Sequence, residues 1–138
     1  MIRELVATLD EIPGAQVEFV KDEDGIVVAD CHLPNLPNIL VRFNGSSAVL
    51  EWYLIIRDAR TGHEVFSDWM DYTGYGETDM EKLRTDMRRD IEWVLADIRR
   101  ATSFRLSSKK LWWFLREKEP EWCIDGRWRR ALIYDPNR

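Results

Sequence analysis

The chain is poor in the residues that mark chemistry. Among 138 residues there are two cysteines, Cys31 and Cys123, and two histidines, His32 and His63. Two cysteines make no disulfide framework, so both read as free thiols in a reducing compartment. Metal-ligand spacing is missing as well. There is no Cys-x-x-Cys, no His-x-x-x-His and no calcium loop, and the acids of Asp22-Glu23-Asp24-Gly25 lack the downstream ligands such a loop needs. Cys31 and His32 are adjacent, so on a strand they point to opposite faces and cannot share an ion. No metal and no cofactor is expected.

Long apolar runs are absent too. No segment approaches the roughly 18–20 apolar residues of a membrane span. The stretch 1–12 is interrupted by Arg3, Glu4, Asp10 and Glu11, which excludes a signal-peptide core there. The expectation is a cytoplasmic protein with no membrane partner. Hydrophobic residues make up 45% and charged residues 33%, the balance of a soluble globular protein. The length fits a single domain over 1–138.

Catalytic signatures are equally scarce. No serine sits in a Gly-x-Ser-x-Gly elbow. Gly74-Tyr75-Gly76 precedes a helix as a phosphate loop would, but no Lys-Ser/Thr follows, and Asp71, Glu77 and Asp79 would repel an anion. Cys31 with His63 is the one nucleophile–base pairing that strand placement could allow. No catalytic residue is assigned.

What the chain does have is pattern. The clearest element is a helix over 78–101. Thr78 and Glu81 have capping-box spacing. Met80, Leu83, Met87, Ile91, Val94, Leu95, Ile98 and Ala101 then make one apolar stripe, and Arg99 and Arg100 suit the negative end of the helix dipole. Ile2, Leu5, Val6, Leu9 and Ile12 predict an N-terminal helix stopped by Pro13-Gly14. Between the two helices, alternation and turn residues predict a hairpin over 15–33, a short strand over 39–43, a turn at 44–47, a long strand over 48–57 and a fifth strand over 63–72. The long strand is apolar almost throughout, as if both faces were covered, or one face by the core and the other by a partner.

After residue 101 the pattern blurs. A helix over 109–119, capped by Ser107 or Ser108 and ended by Pro120, competes with a strand through 111–116. Asp125-Gly126 predicts a tight hairpin turn. The fold class is α+β in two layers: an antiparallel meander of four to five strands, with an N-terminal helix and a long central helix on one face, and a Trp-rich C-terminal helix or hairpin.

Two surfaces invite a functional reading. On the central helix, Trp93 lies about 140° from the centre of the apolar stripe, with Asp86, Asp90 and Asp97 as its angular neighbours. It is either a partner-binding anchor ringed by acids or a site over which the C-terminal segment folds. In the tail, Trp112, Trp113, Trp122 and Trp128 are interleaved with Lys109, Lys110, Arg116, Arg127, Arg129 and Arg130. Rings and cations together suit a single-stranded nucleic acid, or else form a satellite core. An isoelectric point near 5.1 argues against nucleic acid.

The net charge of −5 is unevenly spread. Residues 1–79 carry 15 acids and 5 bases, a net −10, whereas 102–138 carry 5 acids and 9 bases, a net +4. Such asymmetry governs partner choice and encounter rate.

In size, acidity and lack of a catalytic signature, the chain resembles the small stoichiometric inhibitors of phages and mobile elements, anti-CRISPR proteins among them. The likeness is compositional and carries over no residue role. It implies an inhibitor or adaptor whose acidic face occupies a nucleic-acid-handling protein. The leading expectation is thus a non-enzymatic, acidic protein-interaction module. Its partner-binding residues are Trp93, Asp86, Asp90, Asp97, Asp22, Glu23 and Asp24, with Glu18 adding charge. A homodimer through the helix stripe or the fourth strand is a subcase. The alternatives are a hydrolase or small-ligand binder, with a pocket between sheet and helix lined by Trp52, Tyr53 and Trp69, and a nucleic-acid binder using Trp112, Trp113, Arg127, Trp128, Arg129 and Arg130.

Overall fold

The computed structural model describes residues 1–134, apart from the side chains of Tyr75, Lys109 and Leu111. Helix α1 (Ile2–Ala7) passes into a 3-10 turn (Thr8–Glu11) before Pro13-Gly14 ends it. Five strands follow: β1 (Gln16–Glu23), β2 (Ile26–His32), β3 (Ile39–Ser46), β4 (Glu51–Asp58) and β5 (Glu64–Asp71). They form one antiparallel sheet in the order 1-2-3-4-5. Helix α2 (Met80–Arg100) crosses to a second antiparallel sheet of β6 (Ala101–Trp112), β7 (Leu115–Ile124) and β8 (Arg127–Arg130). The α+β class and the helix–meander–helix order therefore stand.

Alternation decides what each strand buries. Val27, Ala29, Cys31, Val41, Phe43, Trp52, Leu54 and Ile56 point inward and share a single core with Leu83, Met87, Ile91, Val94, Leu95 and Ile98 of α2 and with Ile2, Val6 and Leu9 of the N-terminal segment. Gly45 lies within β3 rather than in a turn. A Cβ there would stand 2.8 Å from both Ile2 Cδ1 and Trp52 Cβ, so the close approach of α1 and β4 requires glycine. The turn itself falls at 47–50, where Ser46 Oγ accepts from the N–H groups of Ala48 and Val49. The fourth strand accordingly starts at Glu51 instead of Ala48.

The helix start also differs by one residue. Asp79 is the N-cap, accepting from the N–H groups of Glu81 and Lys82, while Glu77 accepts from Thr78 and Asp79. The Thr78–Glu81 capping box does not form, because a carboxylate one residue later satisfies the same amides and meets the positive end of the dipole. At the other end, Asn35 Nδ2 donates to the carbonyls of Ile98 and Ala101 at 2.9 and 2.8 Å. The Pro-rich connection between β2 and β3 thus closes the carbonyl end of α2.

The helix considered for 109–119 is absent: those residues run along both arms of the β6–β7 hairpin. Pro120 is accommodated within β7, where its carbonyl accepts from Ala131 N–H. Asp24-Gly25 and Asp125-Gly126 both take positive φ, as two-residue hairpin turns require. Beyond β8, Ala131 and Ile133 are buried, and Ile133 N–H donates to Asp68 Oδ2 at 2.8 Å, tying the chain back to β5.

Candidate interaction site

The β6–β7 hairpin is two structures in one. At its base, Phe104 packs on buried Trp122 with ring centroids 5.1 Å apart, and Ile124 is buried beside it. Along β7 the inward positions Pro120, Trp122 and Ile124 are buried, but Leu115, Arg116, Glu117 and Lys118 are exposed in succession. Loss of alternation means that the distal arm buries neither face, although Glu117 and Lys118 at its root line a hollow with Phe66 of β5. It ends at Trp112 paired with Leu115, with Trp113 and Phe114 forming the turn. Trp113 is 83% exposed, Phe114 69%, Trp112 65% and Leu115 46%. The Trp113 and Phe114 rings meet edge to face at 5.1 Å. Four consecutive large apolar side chains in water are unusual for a protein that meets nothing.

The tail surface expected from sequence is divided by this geometry. Trp122 belongs to the core. Trp128 pairs with Cys123 at the hairpin base, about 30 Å along the strands from Trp112. Arg105 lies over the Trp128 ring at 4.0 Å and bonds Glu121. Arg130 is ion-paired with Glu119, whereas Arg127 and Arg129 project from the opposite face of β8, away from the Trp128 ring. Trp112 and Trp113 therefore form no continuous platform with Arg127, Trp128, Arg129 and Arg130.

The helix surface is corrected more sharply. Trp93 is exposed, with Arg89 stacked over it at 5.1 Å. Asp86 is half-buried and bonds Arg89 at 3.0 Å. Asp90 and Asp97, however, are buried, Asp90 to 2%. The buried arc of α2 runs from Asp97 round to Leu95, about 160°. It is wider than the stripe on the flank where Asp90 meets Tyr72, just beyond β5. Asp90 accepts from Tyr72 Oη at 2.9 Å and from Arg89, which is internal wiring and not a ring of surface charge. Asp22, Glu23 and Asp24 sit exposed at the β1–β2 turn, Asp22 bonded to Arg3.

The enzyme alternative loses its proposed geometry. Trp52 faces the core while Tyr53 and Trp69 lie on the opposite face of the sheet, so they cannot line one pocket. Cys31 is separated from the exposed loop residue His63 by β3 and β4, and burial pushes its thiol up to about 12. Gly74 lies within a short 3-10 turn (Thr73–Tyr75) and Gly76 just after it, and the following amides of Thr78 and Asp79 are already taken by the Glu77 carboxylate. Among the described residues, no group of three or more Cys, His, Asp or Glu is placed to hold a metal ion. The small hollow of about 180 Å³ beside Tyr72 is lined by Glu77, Asp86 and Asp90 and by Lys82 and Arg89. In it, Lys82 bonds Glu77, and Arg89 bonds Asp86 and Asp90.

The fourth strand, for which the sequence allows a second covered face or a homodimer contact, has Tyr53 and Ile55 on the outer face of the five-stranded sheet. Tyr53 and Trp69 are cross-strand partners with centroids 6.1 Å apart, and Trp69 is 50% exposed. Ile55 extends the apolar area, and Glu51 lies opposite Asp71 at its end. The signal was the unbroken apolarity of β4. Comparison of the chain with protein-family models, with curated proteins and with solved structures found no match.

Proposed function

We propose that this protein works by adhesion, as a non-enzymatic interaction module whose anchor is the apex of the β6–β7 hairpin. The observation that carries this reading is the run Trp112, Trp113, Phe114 and Leu115, exposed at the end of an arm whose distal residues are exposed in succession. Rigid aromatics presented on a short turn lose little conformational entropy on docking, and tryptophan is enriched where binding energy concentrates. The strongly acidic stretch 1–79 would speed encounter with a basic partner and set its salt dependence. Together with the compositional likeness to phage-borne inhibitors, this favours an inhibitor or adaptor of a nucleic-acid-handling protein.

The test is affinity capture from host lysate at low and high salt, comparing the wild-type chain with the double variant Trp113→Ala, Phe114→Ala. The expected result is a partner in fixed stoichiometry with the wild type and absent from the variant, while the two melting temperatures agree. Identical captured sets would remove the apex from the reading.

A further inference from the structure

We infer that the outer face of the five-stranded sheet is a docking site for an arginine side chain carried on an extended segment of a basic partner protein. The arginine stem lies on Tyr53 and Trp69, and its guanidinium bonds Glu51 and Asp71. This surface is separate from the hairpin apex, so the inference goes beyond the adhesion reading and does not depend on it.

Geometry comes first. Both helices share the core with the inward residues Trp52, Leu54 and Ile56, on the other side of the sheet. On the outer side the register sets Tyr53 opposite Trp69, and two residues along each strand it sets Glu51 opposite Asp71. The aromatic pair and the carboxylate pair are therefore neighbouring rungs, about 7 Å apart. Tyr53 is 36% exposed and Trp69 50%, with ring centroids 6.1 Å apart and planes tilted by 34°. A ligand that spans both rungs lies extended along β4 and β5.

Charge names the ligand. Like charges directly opposite one another weaken a sheet unless a cation joins them. Among the described residues, no side-chain hydrogen bond or ion pair reaches Glu51. Asp71 spends Oδ1 on the N–H and hydroxyl of Thr73, which leaves Oδ2. The guanidinium groups of this face are elsewhere. Arg42 is bonded twice to Asp30, at 2.6 and 2.8 Å. Arg57 lies opposite Glu64, about 20 Å of strand away from Glu51. The Asp30–Arg42 rung shows a carboxylate of this sheet matched by a guanidinium from its own chain. The Glu51–Asp71 rung lacks that match.

The rings alone would also suit the bases of a single-stranded nucleic acid. Its phosphates, however, would meet both acids and the net −10 of residues 1–79. A neutral chain would leave the two carboxylates uncompensated. Lysine supplies charge, but its compact, strongly hydrated ammonium neither stacks flat on a ring nor forks between two carboxylates. A guanidinium does both, and its aliphatic stem covers the apolar surface beside it.

The test is calorimetric titration of the full chain with a blocked Pro-Arg-Pro peptide, run beside its Pro-Lys-Pro counterpart and oligothymidylate. One-to-one binding of the arginine peptide is expected, about tenfold tighter than that of the lysine peptide. Tyr53→Ala with Trp69→Ala keeps every charge and should weaken binding by about tenfold. Glu51→Gln with Asp71→Asn keeps both rings and should weaken it by about as much. Melting curves establish that each variant is folded. The absence of saturable heat overturns the inference. So does equal binding of the arginine peptide to the wild type and the ring variant, which would be diffuse attraction to an acidic body. Equal affinity for the lysine peptide overturns it as well, and saturable binding of oligothymidylate through the same rings would replace it with base stacking. The apex reading fails on a different result, a captured set unchanged by Trp113→Ala with Phe114→Ala.

Discussion

The hydroxyl of Tyr72 donates to Asp90 Oδ2 at 2.9 Å while accepting the indole N–H of Trp52 at 3.0 Å. A buried carboxylate is tolerated only where its lone pairs are filled, and here the end of the sheet fills them for the helix. Tyr72→Phe strips one bond from Asp90 and orphans the Trp52 N–H at once. The expected cost is about 2–3 kcal/mol, read as a fall in melting temperature of roughly 10 °C. Asp90→Arg should abolish the cooperative transition, since it buries a second cation beside Arg89 and takes away the acceptor of the Tyr72 hydroxyl. Trp93→Ala, on the wet side of the same helix, should cost only about 0.5–1 kcal/mol, the scale of its stacking with Arg89.

That contrast shows where the sequence was legible. Period reveals which positions repeat, and the stripe from Leu83 to Ile98 is buried as its spacing implies. Period does not reveal how many surfaces a helix meets. Asp90 and Asp97 look solvent-facing in the sequence yet are buried in the fold, and a polar residue gives no sign from sequence that Tyr72 waits for Asp90. The hairpin apex was ambiguous for a different reason. Trp113-Phe114 is a turn without glycine, asparagine or aspartate, so nothing in its composition separates it from a helix, whereas Asp24-Gly25 and Asp125-Gly126 announce themselves. The outer sheet face was hinted at by the unbroken apolarity of β4, but its acidic border needs the register that sets Glu51 opposite Asp71.

The start of α2 offers a second measurement. Asp79 accepts from two otherwise orphaned amides, whereas Thr78 lies one residue outside the helix. Asp79→Ala should cost about 1 kcal/mol. Thr78→Ala should stay within about 0.5 kcal/mol of wild type in the same urea titration. The reverse order would place the cap at Thr78 after all.

Cys31 predicts a pH dependence with a definite sign. Burial raises its thiol from an ordinary 9.0 to about 12. Above pH 9 the unfolded chain releases a proton that the folded chain keeps. Stability from this group is therefore complete below pH 9 and is lost as pH climbs towards 12, with a slope approaching about 1.4 kcal/mol per pH unit. Tyr72, whose buried phenol is also shifted upward, adds the same sign. The difference in unfolding free energy between wild type and Cys31→Ala, followed from pH 8 to 11, isolates the cysteine; a flat difference would mean the thiol ionises freely in the folded state. At pH 8 a disulfide reagent should modify half-buried Cys123 and reach Cys31 only on unfolding.

Gly45 tests the packing of α1 on the sheet. An added Cβ would sit 2.8 Å from Ile2 Cδ1, 2.8 Å from Trp52 Cβ and 3.0 Å from the Glu51 carbonyl oxygen. The first of these can swing away, but the other two belong to the neighbouring strand and can move only with it. Gly45→Ala should therefore destabilise by about 1–3 kcal/mol, the cost of overpacking a filled core. Shortening Ile2 to alanine in the same chain should fail to restore stability, because it relieves only the contact with the flexible side chain and leaves a cavity beneath α1. Full recovery in the double variant, measured by thermal melting, would show instead that the helix alone sets the limit and that β3 and β4 can part to admit a methyl group.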